Sequence, residues 1–469
     1  MSDRLLPASE LAERALAGAS LAGDSSPGGG RIAIVEERFD AELRYANNTV
    51  TTNGFRRDRS VTIISFDARS DGVAAGVASG SGALDVADLI AAAEHDAAGG
   101  DVAEDAEDLV AGDGDPGFGD EPGTTSLSAL NPVLESLSDV FGRAEAEGRV
   151  TAGFARHRVT TTYLASTTGL RKRFVMPEGR VELVGRSTDG TRSAWAGAGT
   201  NTFDDIDFGA IESKVRQGLS WAERKVELPA GRYETILPPE AVADLIIEVD
   251  WECSGREAEE GRNVFSSPGG GTRVGERLSP LAFELRGDPF AARFEDAPWL
   301  AAGASGADVS VFDNGMPVDR VTLIADGVLQ RLRYHRAGAR RSGTQFTPPV
   351  GNLVLELPGG EVSVDDLVSR TERGLLLTCL WYIRPVDPAT LLLTGLTRDG
   401  VYLVEGGEVV GAVNNFRFNE SPIDLLARAT EAGRTQRALS REWGEWVGRT
   451  AMPALRVPDF NMSSVSPAT

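Results

Sequence analysis

Residues 390–413 read TLLLTGLTRDGVYLVEGGEVVGAV. Short apolar runs are punctuated by Asp399-Gly400 and Gly406-Gly407. Such dipeptides supply the positive φ angles that a tight β-hairpin turn needs. The stretch therefore predicts consecutive hairpins. The same pattern precedes it in VFDNGMPVDRVTLIADGVLQRLRYHR (311–336), with Asn314-Gly315 and Asp326-Gly327 at hairpin positions. Hairpins in series make an antiparallel sheet that curls or closes. The second half is therefore expected to be a large, curved, antiparallel β-structure with few helices.

Upstream of these hairpins lies a strand at 233–237, followed by PPEAVADLIIEVDWECSGREAEEG. Pro239 suits the first turn of a helix, and Ala, Leu and Glu favour its continuation, so one helix is predicted over 238–258. The first half alternates apolar and polar residues in RIAIVEERFDAELRYANN (31–48), SVTIISFDA (60–68), GVAAGVAS (72–79), HRVTTTYLAS (157–166), GLRKRFVMPE (169–178) and RVELVGRST (180–188). These read as strands, with turns at Asp71-Gly72 and Asp189-Gly190. Helices are predicted over 8–22, with Ser9 as N-cap, over 127–146 and over 207–225. A Gly/Ser/Pro loop is read at 23–30. DVAEDAEDLVAGDGDPGFGDEPG (101–123) carries acids and no base, and reads as a solvated loop without the ligand spacing of a calcium site. The fold class is α+β in two parts. Residues 1–229 form a mostly antiparallel sheet with flanking helices, and residues 230–469 form the β-rich part.

The chain has 469 residues, and 47 Lys plus Arg against 70 Asp plus Glu give a net charge of −23. That balance repels phosphate backbones and anionic membrane surfaces, so neither nucleic acid nor membrane is expected as a partner. Cys253 and Cys379 make no disulfide framework. The N-terminal MSDRLLPASELAERALAG has no apolar run of signal length, and no stretch reaches transmembrane length. The expectation is a soluble cytoplasmic protein.

Few residues suggest chemistry. The histidines are His95, His157 and His335, none paired at helical spacing, and ordinary surface or core roles suit them. There is no HExxH, CxxC or Cys/His cluster. GGGTRVG (269–275) has the glycines of a phosphate cradle but lacks its Lys-Ser/Thr, and it follows a helix instead of preceding one. The acid-rich LIIEVDWECSGREAEEGR (245–262) remains. Glu248 and Glu252 are four apart and share a helix face, whereas Asp250 and Cys253 point elsewhere. Carboxylates alone suit Mg²⁺ or Ca²⁺; zinc wants His or Cys on the same face. From the residues alone, an ordinary helix with a wet face is the preferred reading.

Several segments together resemble the TldD/PmbA family of zinc metallopeptidases. They are ELRYANNTVTTNGFRRDRSVTIISF (42–66), STTGLRKRF (166–174), VFDNGMPVDRVTLIADGVLQRLRYHRAGAR (311–340), PPVGNLVLELPGG (348–360) and TRDGVYLVEGGEVVGAVNNFRFNESPIDLL (397–426). The resemblance implies two kinds of subunit that pair. The TldD kind carries an HExxxH helix whose two His bind zinc with a later Cys, the Glu acting as general base. The TldE (PmbA) kind lacks this set. The substrate implied is an unfolded peptide held as an added strand, and some pairs mature peptide natural products. The helix at 238–258 stands where HExxxH would, with Ile247, Glu248 and Glu252 at the first His, the Glu and the second His. No His lies between 158 and 334, and SREWGEWVGRTAMP (440–453), where the later Cys belongs, has none. Cys379 comes too early in the pattern, and Cys253 reads as a buried structural thiol. The resemblance thus implies no catalytic, cofactor or metal residue in this chain, with zinc in a TldD-like partner. Two alternatives stand beside it: a metal-dependent peptidase built on Glu248, Asp250, Glu252 and Glu257, and a non-catalytic peptide-binding protein. Trp443 and Trp446 are expected on a helix face pressed on the core, or as interface anchors.

Overall fold

The computed structural model describes residues 6–18, 29–82, 85–112, 114–398 and 400–467. Most of the predicted loop at 23–30, and Asp399 of the Asp399-Gly400 turn, lie outside these residues.

The first half is built on one six-stranded antiparallel sheet in the order β3-β2-β1-β4-β5-β6. Its elements are α1 (Ala8–Leu16), β1 (Gly30–Ala46), β2 (Thr49–Arg69), β3 (Gly72–Ser81), α2 (Val86–Gly99), α3 (Asn131–Ala146), β4 (Arg149–Ser166), β5 (Arg171–Ser187), β6 (Ser193–Thr200) and α4 (Phe208–Trp221). The period of two along β1 buries both faces. Ala33 and Val35 pack with α1 and α2, while Ile32 and Ile34 pack with Trp299 and Phe312 of the second half. Further along the sheet, α3 and α4 cover Leu43, Val181 and Leu183. Three predictions are corrected here. α1 stops at Leu16 and its N-cap is Pro7, not Ser9. The two strands read at 169–178 and 180–188 are one, β5. α2 is a helix where none was predicted, because its alanine-rich sequence gives little periodic contrast.

The acidic stretch after α2 is also not a solvated loop. Ala106, Leu109 and Val110 pack on the core between the halves. Ala103 N–H donates to Val73 O at 2.9 Å. The acids meet basic residues of the second half: Glu104 pairs with Arg256 at 3.1 Å, Glu107 with Arg340, and Arg336 donates to Asp108 O at 2.9 Å. The segment is a strap clamped across both halves.

Next come β7 (Lys225–Val226), β8 (Gly231–Leu237), α5 (Pro239–Trp251), α6 (Gly255–Glu259), β9 (Glu284–Gly287), β10 (Val321–Ala325), β11 (Val328–Leu329), α7 (Arg336–Ser342), β12 (Leu353–Glu356), α8 (Val364–Ser369), β13 (Arg373–Leu377), β14 (Trp381–Asp387) and β15 (Leu392–Leu396). The remaining elements are β16 (Val401–Glu405), β17 (Glu408–Val413), β18 (Phe416–Glu420), α9 (Pro422–Arg428), β19 (Glu431–Ala432), β20 (Gln436–Ala438), β21 (Thr450–Met452) and β22 (Leu455–Val465). The second half is therefore β-rich with few helices. Its strands form two mixed sheets where one antiparallel structure was expected. The larger runs β14-β15-β18-β22-β8-β13-β16-β17-β7, with β19 on β22, and the smaller runs β11-β10-β9-β12-β21-β20. Pairing is parallel at β8·β13, β17·β7 and β12·β21. Asp326-Gly327 and Gly406-Gly407 turn their hairpins with both φ angles positive, as read. Asn314-Gly315 turns no hairpin. Instead, the Asn314 side chain braces a loop, donating to Ala302 O and Val311 O and accepting from Ala302 N–H.

The predicted helix at 238–258 is two helices. α5 ends at Trp251, and Ser254 caps α6. Asn263 holds the break, donating from Nδ2 to Glu252 O at 2.8 Å and Ser254 O at 3.0 Å. α5 packs against β8, β20, β21 and α9. Every residue from Ala241 to Val249 is buried, so the expected wet face exists only at the last turn.

Candidate functional site

On α5, Asp244, Glu248 and Glu252 follow one another at intervals of four and form a single stripe. The stripe runs from the buried middle of the helix to its exposed end. The segment 440–447 lies over it. Asp244 Oδ1 accepts from Ser440 Oγ at 2.5 Å and from Glu442 N–H at 2.9 Å, and Trp443 Nε1–H donates to Asp244 O at 3.1 Å. Asp244 Oδ2 is buried without a partner. Burial pushes Asp244 up to about 7, although the two hydrogen bonds oppose it.

Glu248 is only 6% exposed, and no described residue hydrogen bonds or ion pairs with its carboxylate. Burial and then the neighbouring charge of Glu252 push it up to about 7, against the pull of Arg384. Glu252 is raised by burial first and Glu257 second. Arg384, on β14, reaches Glu442 at 3.5 Å. Asp244, Glu248, Glu252 and Glu442 are thus gathered with one exposed guanidinium, Arg384, while Arg441 bears on Asp244.

The other predicted site residues are elsewhere. Ile247 is fully enclosed in the core. Asp250 turns away and pairs with Arg333, whose Nη1 also donates to Asp250 O at 2.9 Å. Glu257 lies 3.9 Å from Arg262. Cys253 is buried, donates to Val249 O at 3.2 Å, and its thiol is pushed up by burial. Cys379 is buried. His95 is exposed on α2. His157 bonds Thr125 and Asn201. His335 caps α7 by accepting from Gly338 N–H. Among the described residues, no three His, Cys, Asp or Glu side chains converge to hold a metal ion. No described helix is long and apolar enough to cross a membrane.

Sequence reasoning missed Asp244, Glu442 and Trp251. The signal for Asp244 was available: an acid inside the apolar run AVADLII, one helical turn before Glu248. Trp443 and Trp446 lie on a run of turns, not on a helix. Trp443 stacks edge-on against Trp251 at 5.0 Å and lies 6.0 Å from Trp446. Trp251 is 42% exposed and Trp446 71% exposed.

Residues 230–464, 235 of the 469, match the family model of the PmbA/TldA metallopeptidase C-terminal domain. The chain belongs to the PmbA/TldD family. Solved structures of the same fold cover nearly the whole of it. TldE from Thermococcus kodakarensis superposes with a TM-score of 0.70 at 17% identity, covering 92% of this chain and 96% of that one. A Thermotoga maritima protein named as a candidate modulator of a DNA gyrase gives the same four values. A Bacteroides thetaiotaomicron protein named as a candidate modulator of DNA gyrase gives 0.68 at 14% identity, covering 97% and 98%. No curated protein matches the chain significantly. Zinc, which the TldD/PmbA resemblance implies, is selected by imidazole and thiolate. The α5 stripe offers carboxylates, and the adjacent thiol of Cys253 is committed to a carbonyl, so this donor set does not fit zinc.

Proposed function

We propose that this PmbA/TldD-family chain is a TldE-like, non-catalytic subunit of a heteromeric zinc metallopeptidase of the TldD/TldE type, acting in the cytoplasm on unfolded peptides. The zinc and the general base belong to a TldD-like partner. This chain supplies the interface and part of the chamber wall. The observation that carries the reading is the α5 stripe: Ile247 is sealed in the core, and Glu248 stands without an imidazole or thiolate beside it. A lone carboxylate does not activate water at neutral pH without a metal to lower the water's pKa. Support for the wall role comes from β14, an edge strand of the ten-stranded sheet paired, among the described residues, only with β15. Its Tyr382, Arg384 and Val386 are exposed, and an open strand edge is a surface on which extended peptides are held.

The test is the metal content of the purified chain, alone and co-expressed with a TldD-like partner, by plasma mass spectrometry. The expected result is a metal-free chain and about one zinc per pair in the complex. Stoichiometric metal on the chain alone, or failure of the two chains to co-purify, overturns the reading. The carboxylate stripe favours one second reading, a metal-dependent peptidase in its own right. Turnover by the isolated chain with Mn²⁺ or Mg²⁺, abolished in Glu248→Gln, would establish it.

A further inference from the structure

We propose that the corner formed by the end of α5 and the 440–447 turns is a binding site for a cationic side chain, lysine or arginine, of an extended peptide. The site rests on the peptide-handling reading above and gives it a substrate class. Its floor is Glu248, a residue more than nine-tenths buried whose carboxylate has no partner among the described residues. A carboxylate on a stem enclosed this far is partly stripped of water, and a cation that reaches it recovers the lost interaction. The charges of Glu252 and Glu442 bear on it, opposed by that of Arg384. Trp251, three residues after Glu248 on α5, joins Trp443 and Trp446 in one chain of ring contacts. Tryptophan exposed to 71%, as at Trp446, is unusual for a residue that dominates cores and binding hot spots. Indole faces beside carboxylates are the surroundings that hold ammonium and guanidinium groups.

The molecule already contains one filled version of this arrangement. Arg441, next in sequence to Glu442, lies between the rings of Trp195 and Trp381 at 4.6 and 4.4 Å and pairs with Glu182 at 3.0 Å. One step along, Glu442, Trp443, Trp446, Trp251 and Glu248 repeat the components. At their rim stands Arg384, itself 61% exposed and 3.5 Å from Glu442. Because Arg384 projects from β14, a peptide laid along that edge would bring its own side chains to the same corner.

The experiment uses the full-length isolated chain and fluorescein-labelled, end-blocked peptides of about ten residues. They share one neutral host sequence and differ at a single central Lys, Arg, Gln or Glu. Fluorescence polarisation at physiological salt should show the Lys and Arg peptides binding about tenfold more tightly than the Gln peptide, with the Glu peptide weakest. Glu248→Gln and Trp446→Ala should each remove most of that difference. Glu408→Gln, an exposed acid on β17, should leave it intact. Arg384→Ala should tighten the cationic peptides by removing an internal competitor. Equal affinity for Lys and Gln peptides, no binding of either, or the same loss from Glu408→Gln as from Glu248→Gln overturns the proposal. Displacement of the Lys peptide by micromolar Mn²⁺ also overturns it, because the corner is then a metal site. None of these outcomes touches the zinc content of the complex, so this site can fail while the subunit reading stands.

Discussion

Glu248 and Asp244 are two buried carboxyls that give this molecule a pH response near neutrality. Both carboxyls are raised to about 7, chiefly by burial. A raised acid binds its proton more tightly in the folded chain than in the unfolded one. The stabilisation it contributes is therefore complete below the unfolded pKa and is lost as pH climbs through the folded value. For Glu248 that window runs from about 4.5 to about 7. Glu248→Gln removes the penalty without breaking a hydrogen bond. It should raise the melting temperature at pH 8, by an amount equivalent to about 2–3 kcal/mol, and should match the parent below pH 4.5. Thermal melts across that range check it, and a flat difference with pH would refute it. Gly255 gives a second residue-level prediction. A Cβ there would stand 2.0 Å from Tyr334 Cζ, and the Tyr334 hydroxyl is tied to Glu259 at 2.7 Å. Gly255→Ala should cost about 1–3 kcal/mol, read as a lowered denaturation midpoint. At this scale the sequence was partly legible. Helical spacing alone put Glu248 and Glu252 on one face. The Asp244–Ser440 contact joins residues nearly two hundred positions apart, and no local pattern encodes it.

Elements were legible where local chemistry decides them. The two positive φ angles demanded by Asp326-Gly327 and Gly406-Gly407 made those hairpins readable. The split between α5 and α6 was not, because it is imposed by Asn263 from outside the helix and by Arg333 N–H donating to Cys253 O at 2.7 Å. The acidic strap was misread for the same reason: its basic partners, Arg256, Arg336 and Arg340, come from distant sequence. That clamp is testable. Arg336 donates both to Asp108 O and to Asp313, so Arg336→Ala should free the strap. Limited proteolysis should then cut within residues 101–112 about tenfold faster, while Arg370→Ala, an exposed residue paired with Glu431 at 2.8 Å and away from the strap, leaves the rate unchanged. Protection of the strap in both variants would show that its apolar anchors suffice.

In the whole molecule, α+β character and the β-rich second half were readable from the density of turn signals, but sheet order was not. Parallel seams such as β8·β13 bring together strands separated by long stretches of chain, and turn signals carry no information about them. The place of β8 has a consequence for how this protein is made. β8 lies inside the larger sheet, between β13 and β22, and β22 is the last of the described strands. A ribosome that has delivered residues 231–237 must deliver more than two hundred others before the neighbour of β8 at 455–465 emerges. Until then a central strand has an open flank. Vectorial synthesis therefore cannot finish this sheet until its last residues arrive: the β8·β22 seam closes late. Nascent chains stalled short of residue 455 should remain protease-sensitive throughout the second half and recruit chaperones, whatever the state of the sheet that was made first.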